Sequence, residues 1–335
     1  MPKRDVEQEI NNLSRLRESP VTDATLKTLR KALADRVNLV AARAAQVVGS
    51  LRLKQLIPDL ASAFERRFEK PLETDPQCWV KNAIAKALTE LDFDESAPFL
   101  RGYRYVQMES TWGGKTDTAV TLRSLCTLAL VQCADLSRSD KLRHLVNSLV
   151  DDEETVRIDA IRAIEQMEGE EAALLLRLKA AVGDDRAPVL GQSLESLIKL
   201  EGQSALEFAG RFLQERAKPR AIASTPEELV EEAALAFGAS RLPEAVGILR
   251  DAWTASPRLV FLQAISASRQ EEGLEFLVSL ICKHREREAL AAIDALALHR
   301  DSPVVRTAVQ VAVDQRNVDE LRVRFREKFG NESTG

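Results

Sequence analysis

The chain predicts an all-α fold, a right-handed α-α superhelix of stacked helix pairs with about 18 to 20 helices. Three observations carry this. Residues 151–215 read as one unit written twice: Asp151 answers Asp184, Val156 answers Val189, Ile164 answers Leu197, Met167 answers Leu200 and Gly169 answers Gly202, always 33 residues apart. A fixed period of that size marks a solenoid, because one helical hairpin cannot bury its apolar face alone and must stack on a neighbour. Apolar residues recur at helical spacing, whereas no window alternates with period two between hairpin turns, so essentially no strand is expected.

Within the first copy, Val156, Ala160, Ala163, Ile164 and Met167 form one helix face. Asp151 and Asp152 stand before it as N-caps, Glu153 and Glu154 suit the positive end of the helix dipole, and Gly169 ends it. The second helix presents Leu174, Leu175, Leu178, Ala181 and Val182 as its expected buried side and stops at Gly183. The run Val156-Arg157-x-x-Ala160-x-x-Ala163-Ile164, with acidic caps before and Gly169 after, resembles a HEAT repeat of the short bacterial kind also seen in phycobilin-lyase subunits. The second copy departs from it, with Leu190 where the first has Arg157. In that position Arg157 is expected to reach acids or carbonyls of the neighbouring repeat.

The rest of the chain fits one HEAT-like solenoid over 1–335, with helices capping its start over 1–35. The first of these buries Val6, Ile10, Leu13 and Leu16. Thr22 or Asp23 starts the second, through Leu26, Leu29 and Leu33. Irregular repeats occupy 36–106: a helix ends at Gly49, its partner runs from Leu51 to about Glu69 with a kink or restart at Pro58, and a loop covers 69–76. A helix burying Val80, Ile84, Ala87, Leu88 and Leu91 follows, then a second over 94–106. A break over 107–118 reads as a loop. The 33-residue register holds over 119–217, where Leu128 precedes Ile161 and Leu145 precedes Leu178. After the loop 218–226, Thr225-Pro226-Glu227-Glu228 is a helix start. Shorter repeats fill 225–314, as pairs over 226–254, 257–284 and 286–314. A basic capping helix closes at 317–330.

Hydrophobic residues at 45% exclude wholesale disorder, and a net charge of −5 argues against a general nucleic-acid binder. The charge is uneven: residues 1–125 carry +3 and residues 126–335 carry −8. No apolar leader opens the chain and no run of 18 apolar residues occurs, so a cytoplasmic location without membrane contact is the expectation. Cys78, Cys126, Cys133 and Cys282 form no C-x-x-C pair and read as small core residues.

Catalytic chemistry finds no motif. Gly114-Lys115-Thr116 imitates the end of a P-loop, but Glu109 stands where the motif needs glycine and a helix, not a strand, is expected before it. His144, His284 and His299 lack zinc spacing, and His144 and His299 are expected near helix ends. No cofactor or metal is implied. The distinctive region is aromatic: Tyr103 and Tyr105 precede Trp112, and Trp79 follows the other long loop. DPQCWVKNAI and RYVQMESTWGGKTDTA resemble stretches in a group of bacterial HEAT-repeat proteins. Either these aromatics fill a wedge where the register changes, or the Gly-flexible loop contacts a partner. The second reading predicts a partner-binding set of Trp79, Arg101, Tyr103, Arg104, Tyr105, Trp112, Lys115 and Asp117. The loop would then be ordered against Tyr103 or Tyr105 and border a groove formed by residues 76–134.

The function expected first is a non-catalytic scaffold binding a protein or peptide along its concave face. An alternative resembles the helical-repeat alkylpurine glycosylases, with Trp79, Trp112 and Asp117 imitating their lesion site. A second is a phycobilin-lyase-like protein, supported by repeat type alone. Oligomeric state is open.

Overall fold

The computed structural model describes residues 5–214 and 224–330. The expected loop at 218–226 therefore lies outside the described residues except at Ser224, Thr225 and Pro226. The chain is an all-α helical-repeat protein, with twenty α-helices and one small hairpin among the described residues. It divides into two compact units, Met1–Met167 and Glu168–Gly335.

The first unit contains α1 (Val6–Arg15), α2 (Asp23–Leu33), α3 (Asn38–Ser50), α4 (Ile57–Arg66), α5 (Pro71–Thr74), α6 (Trp79–Glu90) and α7 (Ala97–Gly102). The strands β1 (Met108–Thr111) and β2 (Gly114–Asp117) follow, then α8 (Val120–Ala129), α9 (Arg138–Ser148) and α10 (Glu154–Met167). Helices α3, α6, α8 and α10 pack in succession as one layer, with α4 on α6, α7 on α8 and α9 on α10. Thr22 starts α2 with a capping box shared with Thr25. Gly49 does not end α3. It lies inside the helix where α6 passes so close that a Cβ would sit 3.1 Å from the Ala87 Cα. The left-handed residue that follows the helix is Arg52. Pro58 restarts the chain in the first turn of α4. The helix expected over 94–106 is reduced to α7.

The expected face of α10 is confirmed: Val156, Ala160, Ala163 and Ile164 are fully buried and Met167 nearly so. Ala160→Leu is expected to overpack this face and cost about 1–3 kcal/mol, read as a lowered urea midpoint. An unchanged midpoint would place Ala160 on a tolerant surface. The Asp pair is not the cap itself. The Asp151 carboxylate accepts the Glu153 N–H at 2.9 Å, in the turn immediately before the helix. Arg157 is buried and donates to the carbonyls of Asp151 and Asp152 at 2.7 and 3.0 Å. It thus ties down the turn leading into its own helix, and not, in these bonds, a neighbouring repeat.

The second unit contains α11 (Gly169–Val182), α12 (Ala187–Glu201), α13 (Leu206–Gly210), α14 (Pro226–Ser240) and α15 (Pro243–Ala255). It continues with α16 (Leu259–Ser268), α17 (Glu271–Lys283), α18 (Glu286–Leu296), α19 (Pro303–Arg316) and α20 (Asp319–Phe329). Helices α12, α14, α16, α18 and α20 succeed one another, with α15, α17 and α19 beside them. The three expected pairs are present, and Thr225 and Glu228 form a capping box at the expected helix start. At Gly238 a Cβ would stand 2.9 Å from the Ala264 Cα, so α14 and α16 pack backbone to backbone there.

The buried side of α11 differs from expectation. Ala172, Ala173, Leu176 and Ala180 face inward, while Leu174, Leu178 and Val182 are exposed. Close packing against α12 selects the small side chains, which leaves the leucines outside. Gly169 opens α11 with φ 75° and does not end α10 by itself, because Glu168 shares the reversal at φ 54°.

Candidate functional site

The stretch expected as a loop over 107–118 is an antiparallel hairpin. Met108 faces Asp117, Glu109 faces Thr116, Ser110 faces Lys115 and Thr111 faces Gly114, with Trp112-Gly113 as the two-residue turn. Gly113 and Gly114 have φ of 124° and 154°, and a Cβ on either would touch nothing within 4 Å. Glycine is needed there for the backbone alone.

A buried polar cluster holds the base of the hairpin. Asp75 and Lys81 are fully buried, 2.9 Å apart. The Asp75 carboxylate also accepts the N–H groups of Val80 and Lys81 at 2.8 and 3.1 Å, capping α6 from a distance. Lys81 Nζ donates to the Arg67 carbonyl at 3.2 Å and lies 5.3 Å from the Tyr105 ring. Gln107 Nε2 donates to the Asp75 carbonyl and to Glu109, 3.0 and 2.8 Å away. Glu109 also accepts from Gln77 N–H and Thr118 Oγ1. Burial opposes its ionisation, but these hydrogen bonds outweigh it and hold the carboxyl below its usual range. The cluster compensates for backbone strain at Gln77 and Cys78, both left-handed.

Arg123 joins the hairpin to the turn before α10. It is buried, and its guanidinium binds Asp117, the Tyr105 carbonyl at 3.0 Å and both oxygens of Asp151 at 2.9 and 3.1 Å. Asp117 in turn accepts the N–H groups of Gln107 and Ala119 at 3.0 and 2.9 Å. Burial disfavours its charge, yet these donors and Arg123 hold its carboxyl below the usual range.

Between the hairpin and residues 147–153 lies a cleft of about 580 Å³. Buried Tyr103 contributes to its lining, its hydroxyl sharing a 2.8 Å hydrogen bond with His144 Nδ1. His144 thus sits within α9 on the tyrosine and not at a helix end. Val106, Met108 and Val150 add exposed apolar surface, and Val150 is 74% exposed. Arg104 and Lys115 line one side and Asp152 and Glu153 the other. Among the described residues the side chains of Lys115, Asp152 and Glu153 make no ion pair.

No protein-family model matches the chain, and no curated protein matches it. Among solved structures, similarity is at low level. Human deoxyhypusine hydroxylase in complex with glycerol is 18% identical, with a TM-score of 0.29 over 80% of this chain and 91% of that one. An engineered protein is 16% identical, with a TM-score of 0.35 over all of this chain and 97% of its own.

Of the eight residues expected to bind a partner, Tyr103, Arg104, Lys115 and Asp117 line the cleft. Asp117 is taken up by Arg123. Arg101 pairs with Glu65 and stacks 4.1 Å from the Phe68 ring, so its surroundings are structural. Tyr105 packs edge-on against Phe68 at 4.8 Å and donates to Gln107 at 3.0 Å, with burial pushing its hydroxyl up to about 12. Trp79 is half exposed, its Nε1 bonded to Gln77 at 3.0 Å, and is not part of the cleft lining. Trp112 is fully exposed at the hairpin tip and does not line the cleft either. It fills no wedge. The groove expected from residues 76–134 draws instead on 103–123 and 147–153. Arg123, Val150, Asp152 and Glu153 are not among the residues expected from the sequence; the signal for Arg123 is that it is the lone charge in residues 118–132.

The cysteines bear out the core reading in the main: Cys78, Cys126 and Cys133 are buried and Cys282 partly so. Burial pushes the Cys78 and Cys133 thiols up to about 11, so both are protonated at neutral pH. Among the described residues no group of three or more His, Cys, Asp or Glu could hold a metal ion, and no helix is long and apolar enough to cross a membrane.

Proposed function

We propose that this protein is a non-catalytic helical-repeat scaffold of HEAT-like type that binds a protein partner by seating a peptide segment in the cleft beside the hairpin. The observation that carries the reading is the arrangement of that cleft. Exposed apolar side chains from Val106, Met108 and Val150 line it together with basic Arg104 and Lys115 from the hairpin side and acidic Asp152 and Glu153 from the turn before α10. An apolar centre with a polar border is the anatomy of an interaction site. The protonated thiols and the engaged Asp117 leave no activated nucleophile in this region. Asp117 is also withdrawn from the role that a glycosylase-like lesion site would give it, and Asp152 and Glu153 would repel a phosphate backbone.

The test is a comparative capture from the native cell. Wild type should retain a protein that Met108→Asp with Val150→Asp loses, while the melting curve of the variant stays within about 0.5 kcal/mol of wild type, as surface changes do. Trp112→Ala should leave stability unchanged and weaken the same complex by about 2 kcal/mol, because a protein partner reaching past the cleft to the hairpin tip would bury this fully exposed ring, and tryptophan buried by a partner is a preferred anchor. Equal capture by the variant with two aspartates in its cleft would refute the reading.

A further inference from the structure

The partner that fits this cleft is defined by the backbone of β2 as well as by side chains. Thr118 N–H donates to the Gln107 carbonyl at 2.9 Å, which makes Gln107 and Thr118 a hydrogen-bonded pair. Antiparallel ladders alternate. With the observed register, Glu109/Thr116 and Thr111/Gly114 are then bonded pairs, while Met108/Asp117 and Ser110/Lys115 are not. The N–H and C=O groups of Lys115 and Asp117 therefore point away from β1, along the outer edge of β2. Among the described residues none of these four groups has a hydrogen-bond partner.

That edge borders the cleft. Lys115, Thr116 and Asp117 all line it, although consecutive side chains of a strand point to opposite faces. The Thr116 hydroxyl is engaged on the far face by Thr111, 3.2 Å away. Val106, Met108, Lys115 and Asp117 share the hairpin face turned to the cleft, and the outer edge of β2 borders that face. The protein thus presents two donors and two acceptors at strand spacing beside an apolar surface.

We propose that the occupant is an extended peptide segment that joins β2 as a third antiparallel or parallel strand. It would place an apolar side chain over Val106, Met108 and Val150 and a basic side chain toward Asp152 and Glu153. Strand addition suits such an edge, with main-chain hydrogen bonds supplying affinity and alternate side chains supplying specificity. The charge of the far rim selects the basic residue, because neither Asp152 nor Glu153 has an ion-pair partner among the described residues. The inference rests on the cleft being the binding site, and it adds how the ligand is held.

Phage-displayed random octapeptides selected on the full chain provide the probe. Enriched peptides are expected to carry an apolar residue with a basic residue nearby. Backbone N-methylation of one of them should cost about tenfold or more in affinity at alternate positions only, since every second residue of an added strand bonds the edge. Lys115→Pro removes an outward donor from the cleft edge and should lose the peptide. Ser110→Pro makes the same change in the same cross-strand pair on the opposite edge and should retain it. If both proline variants lose the peptide, the alternation in the N-methyl scan decides. Peptides lost on Met108→Asp but indifferent to Lys115→Pro and to N-methylation would overturn strand addition and leave the cleft reading standing. Failure to enrich any cleft-dependent peptide would overturn both. A dimer in sedimentation that Lys115→Pro dissociates would assign the edge to a second copy and refute the proposal.

Discussion

Asp75→Ala is expected to destabilise the protein by about 3–5 kcal/mol, the cost of leaving a buried charge without its partner. Lys81 would keep only the Arg67 carbonyl and the ring faces of Phe68 and Tyr105. The N–H groups of Val80 and Lys81 would lose their acceptor at the same time. Urea unfolding of wild type, Asp75→Ala and the double variant Asp75→Ala/Lys81→Met separates the two contributions. Recovery of stability in the double variant identifies the orphaned charge as the main cost, because an apolar pair replaces a buried ion pair at little expense. No recovery would assign the loss to the uncapped start of α6. An unchanged curve for Asp75→Ala would mean that the pair is solvated and the hub does not hold the hairpin.

Arg123→Met should cost about 2–4 kcal/mol, less than a fully buried pair because the Asp117 and Asp151 side chains keep some solvent access. The variant should also lose the peptide selected on wild type, since Arg123 ties the hairpin to the turn before α10 across the cleft. Acid supplies an independent check. The folded Asp117 carboxyl is held below its usual range, with burial opposing and the Gln107, Ala119 and Arg123 donors prevailing. Its contribution is therefore fully present above the unfolded value near 4 and is lost as pH falls through the lower folded value. The stability gap between wild type and Arg123→Met should be widest at neutral pH and narrow below about pH 4. A gap independent of pH would show that Arg123 acts through packing and not through its carboxylates.

Much of the helical scaffold is legible in the residues because its signals are local. The 3.6-residue periodicity of Val156 to Met167, the capping chemistry of Thr22 and Thr225 and the stop at Gly183 each act within a turn or two of the chain. The α11 face was misread for the opposite reason. Leu174 and Leu178 dominate any apolar count, but which side of a helix is buried depends on how closely the next helix approaches, and α12 selects the alanines.

The site was half legible. Tyr103, Arg104, Lys115 and Asp117 stand close in sequence, and the unusual composition around Trp112 pointed to them. Arg123 and Asp151 are 28 residues apart, and the Asp152–Glu153 rim read as helix-start chemistry. The hairpin escaped because its strands are four residues long and almost wholly exposed, so they carry no alternation of apolar and polar residues.

Sequence alone determined that this chain is an all-α helical repeat, because helix periodicity and capping are encoded within single turns and the repeat period within single hairpins. Only the tertiary structure decided that residues 108–117 form a hairpin, that Arg123 couples it to Asp151, and that β2 borders a cleft. Those features depend on long-range hydrogen bonds and buried charge pairs, whose partners are chosen by how the helices stack.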